Sequence, residues 1–235
     1  MKPVAIFRHA PTEGPGYFAT YLEANDIPWQ FIKVDAGEEV PAGPTAFSGL
    51  VFMGGPMSVN DDLPWIAPVL RLIQSGVAAD VPVLGHCLGG QLMSKALGGS
   101  VTRNPVKEIG WGEVAVLDAP QAQQWFAHVS PSFVSFHWHG ETFSVPPGAQ
   151  RMLSNSHCEN QGFALGPHLA LQCHIEMTGE MVDSWCISGA REIQRSNSPA
   201  VMSVEAIKAD VERRLSDLHR VADGVYARWI ENLNR

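Results

Sequence analysis

Short apolar runs, turns rich in glycine and proline, and amphipathic stretches follow one another along the first part of the chain. That rhythm predicts an α/β fold with a mainly parallel sheet. Residues 4–7 and 31–34 read as strands, with a helix over 17–24 between them. After a loop at 40–45, residues 50–53 form a third strand ending in Gly54-Gly55-Pro56. A helix is expected from about 62 to 75, opened by an acidic cap at Asp61-Asp62 and an early proline. Residues 81–85 are a buried central strand, and a helix starts by Gln91.

The spacing changes after residue 101. Residues 113–117, 133–136, 151–154 and 163–165 are short strand-like runs separated by turns, and they read as antiparallel additions to the sheet. Residues 169–174 are another buried strand, 178–194 a helix, and 203–232 one long helix. In that last helix Val204, Ile207, Val211, Leu215, Leu218, Val221 and Val225 recur three or four apart. The stripe is expected to pack on the protein's own core, with a homodimer contact as the alternative. Residues 1–195 are expected to form one domain, and 196–235 a helical extension packed on it. No internal repeat or low-complexity segment is visible.

Composition narrows the function classes. A chain of 235 residues, 45% hydrophobic and 17% charged, buries a full core without staples. Its net charge of −8 argues against general nucleic-acid binding, which needs basic patches. The apolar runs are too short for a membrane span, and the N-terminus has no signal-peptide pattern. The four cysteines, Cys87, Cys158, Cys173 and Cys186, show no C-x-x-C spacing. A cytoplasmic protein with reduced thiols is therefore expected, three of them bystanders.

The chemistry concentrates in Gly85-His-Cys87-Leu-Gly89, a G-x-C-x-G turn between strand and helix. A nucleophile on such a turn stands at the positive end of a helix dipole, which favours the thiolate. Leu171-Gln-Cys-His174-Ile-Glu176 is the second piece. Residues i and i+2 of an extended chain share a face, so Glu176 can orient His174 as the base for Cys87. The third piece is Gly54-Gly55-Pro56, whose exposed backbone N–H groups complement the N–H of Leu88 as a two-donor oxyanion hole.

These motifs, with Gln91, His139-Gly-Glu-Thr-Phe-Ser-Val-Pro146 and residues 154–165, resemble the class I (triad) glutamine amidotransferase family. The likeness is nearest to the glutaminase domain of GMP synthetase and its free-standing relatives, and it covers about residues 4–189. It implies a flavodoxin-like, mainly parallel sheet with helices on both faces and a small antiparallel extension. It implies Cys87 as nucleophile, His174 as base, Glu176 as its orienter, and Gly55 and Leu88 as the oxyanion hole. Gln91, His139, Gly140, Glu141, Thr142 and Phe143 would hold the substrate, His139 by positioning the loop. Ile175 stands where the family usually has proline, and its side chain is expected to point away from the site.

The implied reaction releases ammonia and glutamate from glutamine through a thioester, with no cofactor. The sequence shows no glycine-rich phosphate loop, so acceptor chemistry is expected to belong to a synthetase partner, if there is one. Two alternatives stand beside this: a free-standing γ-glutamyl peptidase, and a non-catalytic regulatory protein of the same fold. A metal at His137 and His139 is not expected, because no third ligand shows in the spacing. Arg8 and His9 either line the pocket or sit in a turn with exposed polar groups. Trp111, within Gly110-x-Gly112, reads as a surface loop. The order Cys, His, Glu matches neither a dienelactone-hydrolase-like nor a DJ-1-like arrangement.

Overall fold

The computed structural model describes residues 1–129 and 131–234. The elements run β1 (Val4–Arg8), α1 (Gly16–Ala24), β2 (Trp29–Lys33), β3 (Gly49–Phe52), α2 (Ile66–Ala78), β4 (Val83–His86) and α3 (Leu88–Ala96). Then come β5 (Val101–Val116), α4 (Pro120–Trp125), β6 (Ser132–Phe143), β7 (Gln150–Ser154), β8 (Gly162–Leu165) and β9 (His168–Leu171). The chain finishes with α5 (Gly179–Ser188), α6 (Ala190–Arg195), β10 (Ala200–Val201), α7 (Val204–Lys208) and α8 (Val211–Ile230).

One sheet holds all the strands in the order β10-β5-β7-β8-β9-β4-β3-β1-β2, with β6 paired to β5. The β2-β1-β3-β4-β9 half is parallel, and β9-β8-β7-β5-β6 is antiparallel. Strand alternation feeds two cores. Val4 and Ile6 face one that takes in Phe18 and Leu22 of α1 and Tyr226 and Trp229 of α8. Ala5 and Phe7 face the other, with Val69 and Ile73 of α2 and Leu92 of α3. This is the mainly parallel α/β sheet extended by antiparallel strands that the sequence pattern implies, covered on both faces as the family resemblance implies. No helix among the described residues is long and apolar enough to cross a membrane.

The differences have physical causes. Strand β5 is continuous through Gly110-Trp111-Gly112; Trp111 is buried and its indole N–H donates to Ile207 O at 2.8 Å, so this is core and not surface loop. The 178–194 helix divides at Gly189, where the Trp138 ring packs so closely that no side chain fits. The 203–232 helix divides at Asp210, which takes a left-handed conformation. Helix α2 starts at Ile66, not near 62, and Trp65 caps it without a side-chain bond; Asp61 instead accepts from Ser58 N in the preceding turn. In α8, Leu215, Leu218 and Val225 of the predicted stripe are buried in the protein's own core.

Candidate active site

Cys87 joins β4 to α3 at φ 51° and ψ −106°, a region that L-residues rarely enter. Packing holds it there. A Cβ at Gly89 would lie 1.9 Å from Phe52 O, so only glycine lets α3 begin this close to β3. Cys87 N–H donates to Leu171 O at 2.7 Å, which pins the turn to β9. Its Sγ accepts from Gln172 Nε2 at 3.5 Å and lies 3.8 Å from Trp138 O. Leu88, the first residue of α3, has an N–H with no acceptor inside the helix.

His174 and Glu176 lie beyond the end of β9, not on it. What keeps the chain extended there is a two-way bridge: His174 N–H to Phe136 O at 2.8 Å, and Phe136 N–H to His174 O at 3.4 Å. The i, i+2 spacing therefore works as expected, and Nδ1 of His174 lies 2.6 Å from Oε1 of Glu176. The Trp185 ring packs edge-on to the imidazole at 4.9 Å. Nε2 of His174 has no hydrogen-bond partner among the described residues. Burial opposes a charge on His174, yet the Glu176 carboxylate and the Cys87 sulfur hold its pKa well above 6.5. Burial likewise opposes charge on Glu176, but His86 and His174 draw its pKa down to about 2. His86 Nε2 is 3.7 Å from Glu176 Oε2 and 3.3 Å from the Tyr226 hydroxyl of α8.

A cavity of about 640 Å³ opens over these groups. Gly55, Cys87, Gln91, His139, Gly140, Glu141 and His174 line it. A Cβ on Gly55 would come within 2.8 Å of Leu88 Cδ2, so the two proposed oxyanion donors are neighbours. On one side Gln91 Nε2 lies 3.5 Å from Glu141 O, and Ser58 Oγ donates to Glu141 Oε1 at 3.1 Å. Thr12, Glu13 and Trp185 form the wall beside His174.

Comparison with known proteins places this geometry. The family model for class-I glutamine amidotransferases matches residues 18–187. The chain belongs to that family. A crystal structure of a glutamine amidotransferase from Methylobacillus flagellatus is similar over 100% of this chain and 96% of that one, with 44% identity and a TM-score of 0.97. One from Thermotoga maritima matches over 97% and 98%, with 26% identity and a TM-score of 0.88. The glutamine amidotransferase-like protein YfeJ of Salmonella typhimurium is 30% identical over 74% of this chain and 76% of its own. A glutamine-hydrolysing GMP synthase of Aromatoleum aromaticum is 32% identical over 56% of this chain, but that match spans only 26% of the synthase.

Not every residue expected at the substrate lies in the cavity. Phe143 is buried in the second core against Phe163, and Thr142 Oγ1 lies 3.2 Å from Cys158 Sγ. Neither residue lines the cavity. Ile175 is in the first core, away from the site. His139 is occupied: Nδ1 lies 3.0 Å from Glu141 O and Nε2 3.0 Å from Glu108 Oε2. His137 and His139 share a strand face, and Glu108 joins them with one ligand-type atom from each within 4.8 Å. The Glu108 carboxylate already accepts from Asn155 at 2.6 Å and Gln161 at 2.8 Å, a buried polar network behind the His139–Glu141 segment. Arg8 makes a two-bond pair with Asp35, and His9 is fully buried, with Nδ1 2.9 Å from Met53 O beneath the Gly54-Gly55 loop. Sequence reasoning missed Glu13, His86, Gln172 and Tyr226. Only Glu13 carried a signal, its glycine- and proline-rich loop directly after a strand.

Proposed function

We propose that this amidotransferase hydrolyses the γ-carboxamide of glutamine through a Cys87 thioester. The observation that carries this is the 2.6 Å contact of His174 with buried Glu176, leaving Nε2 unpartnered in the cavity that Cys87 lines. The Cys87 thiolate attacks the amide carbon, and the oxyanion forms between the N–H groups of Gly55 and Leu88. His174 gives its Nε2 proton to the departing nitrogen, which leaves as ammonia. Water then attacks the thioester, His174 takes up its proton, and glutamate departs as the thiolate returns. Gln91 and the Glu141 backbone, steadied by Ser58 and His139, would receive the amino-acid end. Acceptor chemistry, as in the GMP synthases it resembles, would come from a partner.

A second reading, a γ-glutamyl peptidase, is favoured by the cavity's size. About 640 Å³ reaching out to Lys107, Trp138, Ser188 and Glu192 leaves room for more than glutamine. Glutamate release, measured by mass spectrometry from glutamine and from γ-glutamyl peptides, tests both readings. Release that disappears in Cys87→Ser supports the thioester route, and the preferred donor chooses between them. No release from any donor, with or without candidate partners, overturns both.

A further inference from the structure

Glu13 is the one carboxylate in the cavity wall beside His174 that the reaction described above leaves unused. It is nine-tenths buried. No hydrogen bond to its carboxylate is among the influences acting on it. Its loop is clamped at both ends: Trp185 Nε1–H donates to Thr12 O at 3.0 Å, and Tyr17 N–H donates to Glu176 O at 2.8 Å. A Cβ at Gly54 would lie 2.7 Å from Glu13 Oε2 and 3.3 Å from His174 Cε1. Carboxylate and imidazole thus abut the same glycine, next to the oxyanion donor Gly55. A buried acidic group without a partner carries a desolvation cost that only a bound cation or proton offsets.

The layout says which end of a substrate it meets. With the amide carbon at Cys87 and the amino-acid end toward Gln91 and Glu141, the amide nitrogen points to His174 and the wall behind it. Glu13 stands in that wall. We propose that Glu13 is the cation-binding group of a leaving-amine subsite, taking up as an ammonium ion the ammonia or primary amine released when Cys87 is acylated. The inference rests on the γ-glutamyl amidase reading above.

The protons balance. His174 gives its Nε2 proton to the nitrogen as the C–N bond breaks, which yields a neutral amine. The Glu13 carboxyl passes its own proton to that amine, leaving a carboxylate paired with an ammonium ion. When the ammonium ion departs, Glu13 regains a proton from water. Burial raises its pKa to about 7; neighbouring His174 opposes that rise and Glu176 adds to it. The group therefore exchanges protons near neutrality, as the step requires.

The test compares glutamine with γ-glutamyl-p-nitroanilide, whose arylamine product is too weakly basic to hold a proton. Because an ammonium ion cannot re-attack the thioester as a neutral amine can, Glu13→Gln should lower kcat/KM for glutamine about tenfold or more by letting acylation reverse. It should change kcat/KM less than about twofold for the anilide, whose amine is a poor nucleophile. Equal losses on both donors, or none on either, would overturn the subsite. Should the wild type hydrolyse neither donor nor γ-glutamyl peptides, with or without candidate partners, the amidase reading fails, and the subsite is judged by methylammonium chloride binding. A saturable shift of the Trp185 indole N–H resonance, absent with potassium chloride and absent in Glu13→Gln, supports it; no such shift sinks it.

Discussion

Cys87 shares a positive φ with Asp26, Asp80 and Asp210 among the described non-glycine residues. Aspartates tolerate that region through local hydrogen bonds, whereas cysteine has no such compensation. The turn therefore stores strain in order to hold the thiol out of the sheet, and strain of this kind is typically about 1–3 kcal/mol. Glycine relieves it and alanine does not. Cys87→Gly should thus be more stable than Cys87→Ala by about 1 kcal/mol, the reverse of the usual order, when denaturant midpoints are compared. Both variants should be inactive. The other three cysteines are spared such a role: burial pushes the Cys158 thiol up to about 11 and Cys173 up to about 12, and raises Cys186 as well, so all three stay protonated.

At the level of elements, α8 does more than cover the sheet. Its Tyr226 hydroxyl reaches His86, which in turn faces the Glu176 carboxylate beside His174. Burial keeps the tyrosine pKa well above 10, so the hydroxyl remains a neutral partner. Tyr226→Phe should reduce kcat about three- to tenfold with KM unchanged, the range of one neutral hydrogen bond, as steady-state kinetics will show. No pattern in the sequence announces this link, because Tyr226 and His86 are 140 positions apart. The elbow, the H-x-E spacing and the Gly54-Gly55 turn were legible because each is local: a glycine count, a two-residue period, a strand end. Glu108 beside His139 depends on the register of β5 and β6, and Gln172 beside Cys87 on β9 lying next to β4. The breaks at Gly189 and Asp210 were hidden for the same reason. A packed tryptophan ring stops one helix and a left-handed residue the other, while the apolar period runs on through both.

For the molecule as a whole, buried histidines set the response to acid. Burial lowers His9, His137 and His168 from 6.5 to about 4, and His168 Nδ1 accepts from Val83 N–H, a bond that protonation would break. Between those values the unfolded chain binds protons that these three rings refuse when folded, so their contribution to stability is full above about pH 6.5 and falls as pH drops toward 4. Burial lowers His86 in the same direction, while Glu13, raised to about 7, opposes the trend within this window. His174, held well above 6.5, gives up its contribution only as pH rises beyond it. Calorimetry should show Tm falling steadily over that window, and a flat profile would contradict the burial of these rings. A different consequence follows from β9. The elbow hangs from Leu171 of that strand, and His174 follows it three residues later, tied across to Phe136. Cys87 and His174, the proposed nucleophile and base, are therefore fastened to one central rung of the sheet, and no hinge lies between them. Separating them means tearing β4 from β9, so gating of turnover is left to the walls: the loop after β1, the Gly54–Pro56 turn and the strand bearing Trp138.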